Sequence, residues 1–116
     1  MIQTKTTFTV YSPPTVLYGK GAFEEVGIQA KKLGTKALIV SDPIMDNLGF
    51  VNKCTALLQE QGIASVSYLG VTSEPIDTYV TEALHVLQHN DCDMIISVGG
   101  GSCIDTAKAV AVVATN

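Results

Sequence analysis

The length, composition and charge of the chain limit what it can be. It has 116 residues, of which 47% are hydrophobic, and a formal net charge of −4, which is enough apolar material for one compact domain. No segment has the roughly eighteen consecutive apolar residues of a transmembrane helix, and the N-terminus lacks the basic flank and apolar core of a signal peptide. We therefore expect one domain over residues 1–116, cytoplasmic and without membrane contact.

The cysteine spacing and the net negative charge exclude further classes of protein. Cys54, Cys92 and Cys103 are odd in number and show no C-x-x-C spacing, so neither a disulfide framework nor a zinc knuckle is indicated, and reduced thiols are expected. The negative charge and the lack of a basic cluster argue against nucleic-acid binding. An anionic ligand must therefore be held by local groups.

The first element is a β segment near the N-terminus, TFTVYSPPTVLYG, in which apolar and polar residues alternate. Pro13 and Pro14 cannot donate ladder hydrogen bonds, so this segment belongs at the edge of a sheet. Downstream, short β-rich runs alternate with segments of helical period, which is the pattern of βαβ units around a parallel sheet. The predicted strands are KALIVSD at 36–42, SVSYLG at 65–70 and DMIISV at 93–98.

Four helices are predicted from the spacing of apolar residues. Gly34 is expected to close the first and Gly62 the second, while Gly49 interrupts the chain before the second, and the fourth is expected to begin after Ser102. The apolar positions are Phe23, Val26, Ala30 and Leu33 in the first helix, Phe50, Cys54, Leu57 and Leu58 in the second, and Ile76, Val80, Ala83, Leu84 and Leu87 in the third.

The stretch IISVGGGSCIDTAKAV at 95–110 leads from a buried strand through three glycines into the fourth helix. Glycine lets a ligand approach the backbone closely, and the free N–H groups and dipole of a helix N-terminus favour negative charge. The stretch therefore predicts a phosphate site. The alternative is a plain βα turn in which Ser102 caps the helix and Asp105, three residues later, completes a capping box without any ligand.

Asp42 lies at the C-terminal end of the first predicted parallel strand. Ligands of open α/β sheets collect at the carboxyl ends of the strands, where Asp42 could accept hydrogen bonds from ribose hydroxyls. The order is the reverse of the usual dinucleotide fingerprint, in which the glycine loop precedes the acidic residue. Asp42 before Pro43 also fits a helix N-cap followed by a first-turn proline. The sequence leaves both interpretations open.

Two other groups invite a chemical role. His85 and His89, at positions i and i+4 of the third helix, could share a metal ion. Two histidines without a carboxylate make a poor site, however, and we predict no metal ligands and no catalytic residues in this chain. Cys103 lies in the first turn of the last helix, where the dipole would lower its pKa. The alternative is a small side chain that fills space beside the loop.

Several segments together carry a resemblance to a known family: PPTVLYGKGAFEEVG, ALIVSDPIMDNLG, SEPID and DMIISVGGGSCIDTAKAVAVVATN. The chain resembles the N-terminal nucleotide-binding part of the iron-containing, group III alcohol dehydrogenases, and the G-G-G-S-x-x-D-x-x-K element is the most specific match. The resemblance implies an α/β fold, a Rossmann-like parallel sheet flanked by helices with an N-terminal β edge segment. It also implies an NAD(P)-dependent oxidoreductase that interconverts small alcohols and aldehydes or ketones.

The resemblance also implies roles for individual residues. A carboxylate at Asp42 would bind the ribose of NAD and repel the 2′-phosphate of NADP, so NAD is favoured. Relatives commonly pair N-terminal strands, which implies a homodimer with residues 6–18 at or near its interface. Glu74 and Pro75 are only weakly implied beside the dinucleotide. The remaining cofactor-binding residues are Gly100, Gly101 and Ser102 against the pyrophosphate, Gly99 in the same loop, and Asp105 near the nicotinamide.

The family's metal ligands, which hold Fe²⁺ or Zn²⁺, belong to a C-terminal helical domain that is absent from this chain. We therefore expect the 116-residue chain to bind NAD weakly and to be inactive alone. Two alternatives stay open. One is a nucleotide-binding module without catalysis, and the other is the related glycerol-phosphate dehydrogenase and dehydroquinate synthase group, which also uses a triple-glycine loop.

Overall fold

A computed structural model of the chain describes residues 8–12, 15–19, 25–72 and 76–115. The strands are β1 (Phe8–Ser12), β2 (Thr15–Gly19), β3 (Lys36–Val40), β4 (Ala64–Tyr68) and β5 (Met94–Val98). The helices are α1 (Val26–Lys31), α2 (Pro43–Asn47), α3 (Phe50–Glu60), α4 (Ile76–His89) and α5 (Gly101–Ala114).

The strands form one mixed sheet in the order β2-β1-β5-β3-β4. Strands β4, β3 and β5 are parallel, as predicted. The N-terminal segment forms an antiparallel pair, β1 and β2, which extends the sheet beyond β5. The predicted edge position of the N-terminal segment is confirmed, with β2 as the outermost strand and β1 between β2 and β5. Pro13 and Pro14 lie outside the described residues.

The sheet is covered on both faces, and the chain changes face between β3 and β5. Helices α1 and α3 pack on one face, where Val26, Cys54 and Leu58 belong to the same core cluster as Ile39 and Ile96. Helices α4 and α5 pack on the other. There, Ala83, Ala107 and Val110 join Leu38 and Ile95. Burial on both faces explains why β3 and β5 read as continuous apolar runs rather than alternating ones.

The helix boundaries confirm some predictions and correct others. Gly62 ends α3 with φ of 77°, and Gly49 precedes α3 with φ of 90°, as expected for left-handed glycines. Helix α1, however, ends at Lys31 with its cap at Lys32, so Gly34 is not its C-cap. Gly34 serves a different contact, because a Cβ there would lie 2.4 Å from Asp93 Oδ1.

Asp93 joins the beginnings of β3 and β5. Its carboxylate accepts hydrogen bonds from the N–H of Thr35 at 2.9 Å, the N–H of Lys36 at 3.0 Å and the hydroxyl of Thr35 at 3.1 Å. Desolvation raises the pKa of the Asp93 carboxyl, but the hydrogen bonds from Lys36 and Thr35 outweigh it and leave the pKa below its ordinary value. The ionised carboxylate therefore stabilises the fold.

We expect Asp93→Asn to lower the melting temperature at neutral pH, because a neutral amide is a weaker acceptor than a carboxylate. Because the pKa of Asp93 is lower in the folded than in the unfolded state, the carboxylate contributes stability above the unfolded pKa of about 3.9. This contribution is lost as the pH falls through the folded pKa. The difference from wild type, followed by circular dichroism, should be constant down to about pH 5 and shrink below about pH 4.

The matched control is Asp91→Asn, two residues away. Asp91 is exposed with φ of 54°, a left-handed conformation that asparagine also tolerates. This variant should show little change at any pH. A difference between Asp93→Asn and wild type that stays the same down to pH values of about 2 would contradict a role for the ionised carboxylate.

Candidate functional site

A cleft of about 440 Å³ opens where the parallel strands end. Because β3 and β5 are neighbours whose following helices leave toward opposite faces, the cleft occupies the crevice where open α/β sheets bind ligands. Its walls come from the three segments that follow the strands. The lining residues are Asp42, Pro43 and Ile44 after β3, Val71 and Thr72 after β4, and Gly100, Gly101, Ser102 and Cys103 after β5.

Ser41 holds the ends of the three parallel strands together beneath this cleft. Its N–H donates to the carbonyl of Tyr68 at the end of β4, at 2.9 Å. Its buried hydroxyl donates to the carbonyl of Val98 at the end of β5, at 2.6 Å. The sequence reasoning missed this residue. The available signal was a single small polar residue between an apolar strand and Asp42.

Asp42 caps helix α2, which is one of the two roles that its sequence context suggested. Its Oδ1 accepts a hydrogen bond from the N–H of Met45 at 2.8 Å, as the N-cap of α2 with Pro43 in the first turn. Its Oδ2 lies 3.5 Å from the Sγ of Cys103 and accepts from the thiol. A carboxylate offers about four lone-pair sites, and Asp42 lines the cleft. The capping bond therefore leaves lone pairs of the carboxylate that can accept hydrogen bonds from a ligand.

The first glycine of the loop is required by the fold. Gly99 has φ of 142°, a conformation that L side chains rarely adopt. A Cβ at this position would lie 2.8 Å from Cys103 Sγ and 3.3 Å from Asp42 Oδ2. Gly99 therefore lets the end of β5 pass close to both side chains.

The next two glycines face open space. A Cβ at Gly100 or Gly101 would have no neighbour within 4 Å among the described residues. Gly100 is the N-cap of α5 and makes no side-chain capping bond, and its carbonyl accepts from the N–H groups of Cys103 and Ile104. The capping-box alternative is therefore wrong, because Ser102 lies inside the helix and cannot cap it.

The start of α5 presents donors to the cleft. The N–H groups of Gly101 and Ser102 precede the first helical hydrogen bonds, and within the described ranges neither donates to another backbone group. The positive end of the dipole of a 14-residue helix lies at the same place. Backbone donors, the helix dipole and space without Cβ atoms together form an anion cradle.

Cys103 is an inert thiol rather than a reactive one. It is 1% exposed. Burial, followed by the neighbouring charge of Asp42 and its hydrogen bond, raises the pKa of the thiol to about 12. The interpretation as a small side chain that fills space beside the loop is confirmed, and the thiol is protonated at neutral pH.

The third wall of the cleft is anchored by tyrosines. The hydroxyls of Thr72 and Tyr79 lie 3.2 Å apart, which ties the segment after β4 to α4. The hydroxyl of Tyr68 donates to Glu82 Oε1 at 2.5 Å. Burial and then this carboxylate raise the pKa of Tyr68, so the phenol stays protonated. Residues 73–75, which include the weakly implied Glu74 and Pro75, lie outside the described residues.

Other predicted groups lie away from the cleft. Asp105 is exposed on α5 and is not part of the cleft lining, so its nicotinamide role stays a prediction. His85 and His89 are exposed, and their rings stack with centroids 5.7 Å apart. Across the described ranges, no three histidine, cysteine or acidic side chains come together in a group that could hold a metal ion. No helix in these ranges is long and apolar enough to span a membrane.

The chain is similar to several known proteins. The family model for iron-containing alcohol dehydrogenases matches residues 13–116. The chain is 37% identical over 107 residues to the NAD-dependent methanol dehydrogenase of Bacillus methanolicus, covering 91% of this chain and 28% of that protein. It is 38% identical over 104 residues to the NADH-dependent butanol dehydrogenase A of Clostridium acetobutylicum, covering 87% and 26%.

A solved structure shows the same fold. The crystal structure of a 1,3-propanediol oxidoreductase matches with a TM-score of 0.78 and 38% identity, covering 82% of this chain and 25% of that one. The chain therefore spans about a quarter of the length of these relatives.

We expect Gly99→Ala to lower the melting temperature markedly, because the new Cβ meets Cys103 Sγ at 2.8 Å and the backbone is left-handed. The strain should cost about 1–3 kcal/mol of unfolding free energy. Gly101→Ala is the matched control in the same loop, since its Cβ enters open space and alanine suits a helix better than glycine. Equal melting temperatures for the two variants in differential scanning calorimetry would refute the distinction between them.

Proposed function

Because this chain belongs to the iron-containing alcohol dehydrogenase family, we propose that it is the dinucleotide-binding part of an NAD-dependent alcohol dehydrogenase. The observation that carries the proposal is the open space that a Cβ at Gly100 or Gly101 would enter, at the N-terminus of α5, where the first N–H groups make no hydrogen bond to any backbone group that the structure describes. A plain turn needs no such space at either position. The names of the relatives from Bacillus methanolicus and Clostridium acetobutylicum, which mention NAD and NADH, support the choice of cofactor.

The residues of the cleft suit the parts of a dinucleotide. The N–H groups of Gly101 and Ser102 would donate to the pyrophosphate, and Asp42 would accept from ribose hydroxyls. Ile44, 68% exposed at the cleft, offers an apolar surface beside them. Bound NAD would supply hydride transfer to and from a small alcohol or aldehyde.

Asp42 would also select between cofactors. Its carboxylate accepts hydrogen bonds from the hydroxyls of NAD and repels the 2′-phosphate of NADP. The net charge of −4 provides no general attraction for a phosphate that could offset this repulsion.

We propose that the 116-residue chain alone binds the cofactor without turnover. The family's metal, Fe²⁺ or Zn²⁺, would polarise the substrate oxygen, and the described residues include no group that could hold it. The homodimer and the cytoplasmic location stay predictions, with β2 as the edge at which a second copy would pair.

The proposal is tested by Gly101→Ala in the complete protein that carries these residues. The added methyl group would occupy the space of the pyrophosphate, so we expect NADH to bind about tenfold more weakly or worse, a loss of about 1.4 kcal/mol. Affinity is measured by NADH fluorescence, with ADP-ribose as a competitor that lacks nicotinamide. Melting temperatures of the same samples show whether folding is intact. Equal dissociation constants in folded samples would show that the glycines serve the turn alone.

Cofactor selection is tested by Asp42→Asn. Asparagine caps a helix about as well as aspartate, so the α2 cap is retained while the charge is removed. We expect the preference for NADH over NADPH to fall by about tenfold, measured as the ratio of their dissociation constants. Asp46→Asn is the matched control, because Asp46 is a carboxylate of the same helix outside the cleft lining. An unchanged ratio in Asp42→Asn would remove Asp42 from cofactor selection.

A further inference from the structure

We propose that Cys103 is a positioning residue for cofactor selection, whose thiol fixes the carboxylate of Asp42 in the cleft. The inference rests on the function proposed above, since it concerns how Asp42 performs its selecting role. It assigns no reaction to the sulfur, and its basis is a contact between the two loops that border the cleft.

The contact is the link between the Asp42 carboxylate and the glycine helix. Oδ1 is held by the N–H of Met45, three residues along the same helix start, at 2.8 Å. Oδ2 is held by the thiol of Cys103, from α5, at 3.5 Å. One oxygen is thus fixed by α2 and the other by α5. Loss of the thiol would leave Oδ2 free to turn away from the orientation it has beside the anion cradle.

The surroundings preserve this contact. Gly99 keeps the space clear, because a Cβ there would lie 2.8 Å from Cys103 Sγ and 3.3 Å from Asp42 Oδ2. Cys103 is 1% exposed, so bulk water does not compete for its proton. The pKa of the thiol is raised to about 12, which keeps the donor protonated at neutral pH.

The neutrality of the donor matters for selection. A lysine or arginine beside Asp42 would offset the negative charge that must repel a 2′-phosphate. A thiol fixes the orientation of the carboxylate and leaves its charge intact. Cys103 therefore orients the carboxylate of Asp42 without neutralising its charge.

The test compares Cys103→Ala, which removes the donor, with Cys103→Ser, which replaces it by a hydroxyl. Both are made in the complete protein, and dissociation constants for NADH and NADPH are measured by fluorescence. We expect Cys103→Ala to lower the NADH to NADPH preference about fivefold, the equivalent of one hydrogen bond of about 1 kcal/mol. Cys103→Ser should retain most of the preference. In an Asp42→Asn background, Cys103→Ala should cause no further change.

Cys54→Ala is the matched control, because Cys54 is equally buried but belongs to the core cluster on the other face of the sheet. It should leave the preference unchanged. If Cys103→Ala weakens NADH and NADPH equally, or if the alanine and serine variants lose the preference alike, the positioning role is refuted. A protein that binds NADH with an unaltered preference in Cys103→Ala would thus refute this inference while the proposed function stands.

A second measurement does not depend on cofactor binding. The S–H stretching band of Cys103, identified by its loss in Cys103→Ala, can be recorded by infrared spectroscopy. Because an amide oxygen is a weaker acceptor than a carboxylate, the band should move to higher frequency in Asp42→Asn. An unshifted band would show that the thiol does not donate to Asp42, even if NADH failed to bind.

Discussion

The two contacts of the Asp42 carboxylate join parts of the molecule that the sheet topology separates. The chain leaves β3 toward one face and leaves β5 toward the other, and the two connections meet at this crevice. Met45 N–H on one side and Cys103 thiol on the other both donate to Asp42, while Ser41 bonds the strand ends below. This junction joins the start of α2 to the start of α5 at the border of the cleft.

The three glycines divide their work between folding and binding. Gly99 is required by the fold itself, because its backbone conformation and its neighbours exclude a Cβ. Gly100 and Gly101 meet no such constraint, because both face open space. The three consecutive glycines therefore have two different roles. Gly99 is required for the structure, whereas Gly100 and Gly101 leave open space that is available to a ligand. Their roles can be separated because stability and affinity are measured independently.

Local patterns predicted the elements well, and contacts between distant residues account for the errors. The three parallel strands and most helices follow from apolar spacing, and left-handed Gly49 and Gly62 follow from turn chemistry. The role of Gly34 depends on Asp93, which lies far along the chain. Ser41 likewise acts through Val98. The periodicity of apolar residues shows which face of a helix or strand is buried. These contacts depend instead on which strands become neighbours in the sheet.

The same limit explains why Asp42 carried two interpretations. A cap and a ligand contact demand the same chemistry, a carboxylate at the end of a strand, so local sequence cannot separate them. The structure makes them compatible, because the cap uses one oxygen and the cleft is open beside the carboxylate. Both donors shown on Asp42 are neutral, and its negative charge is therefore preserved at a site that otherwise favours anions. In the proposed function, this pairing of an anion cradle with an unneutralised carboxylate would accept a pyrophosphate while rejecting an additional phosphate on the ribose.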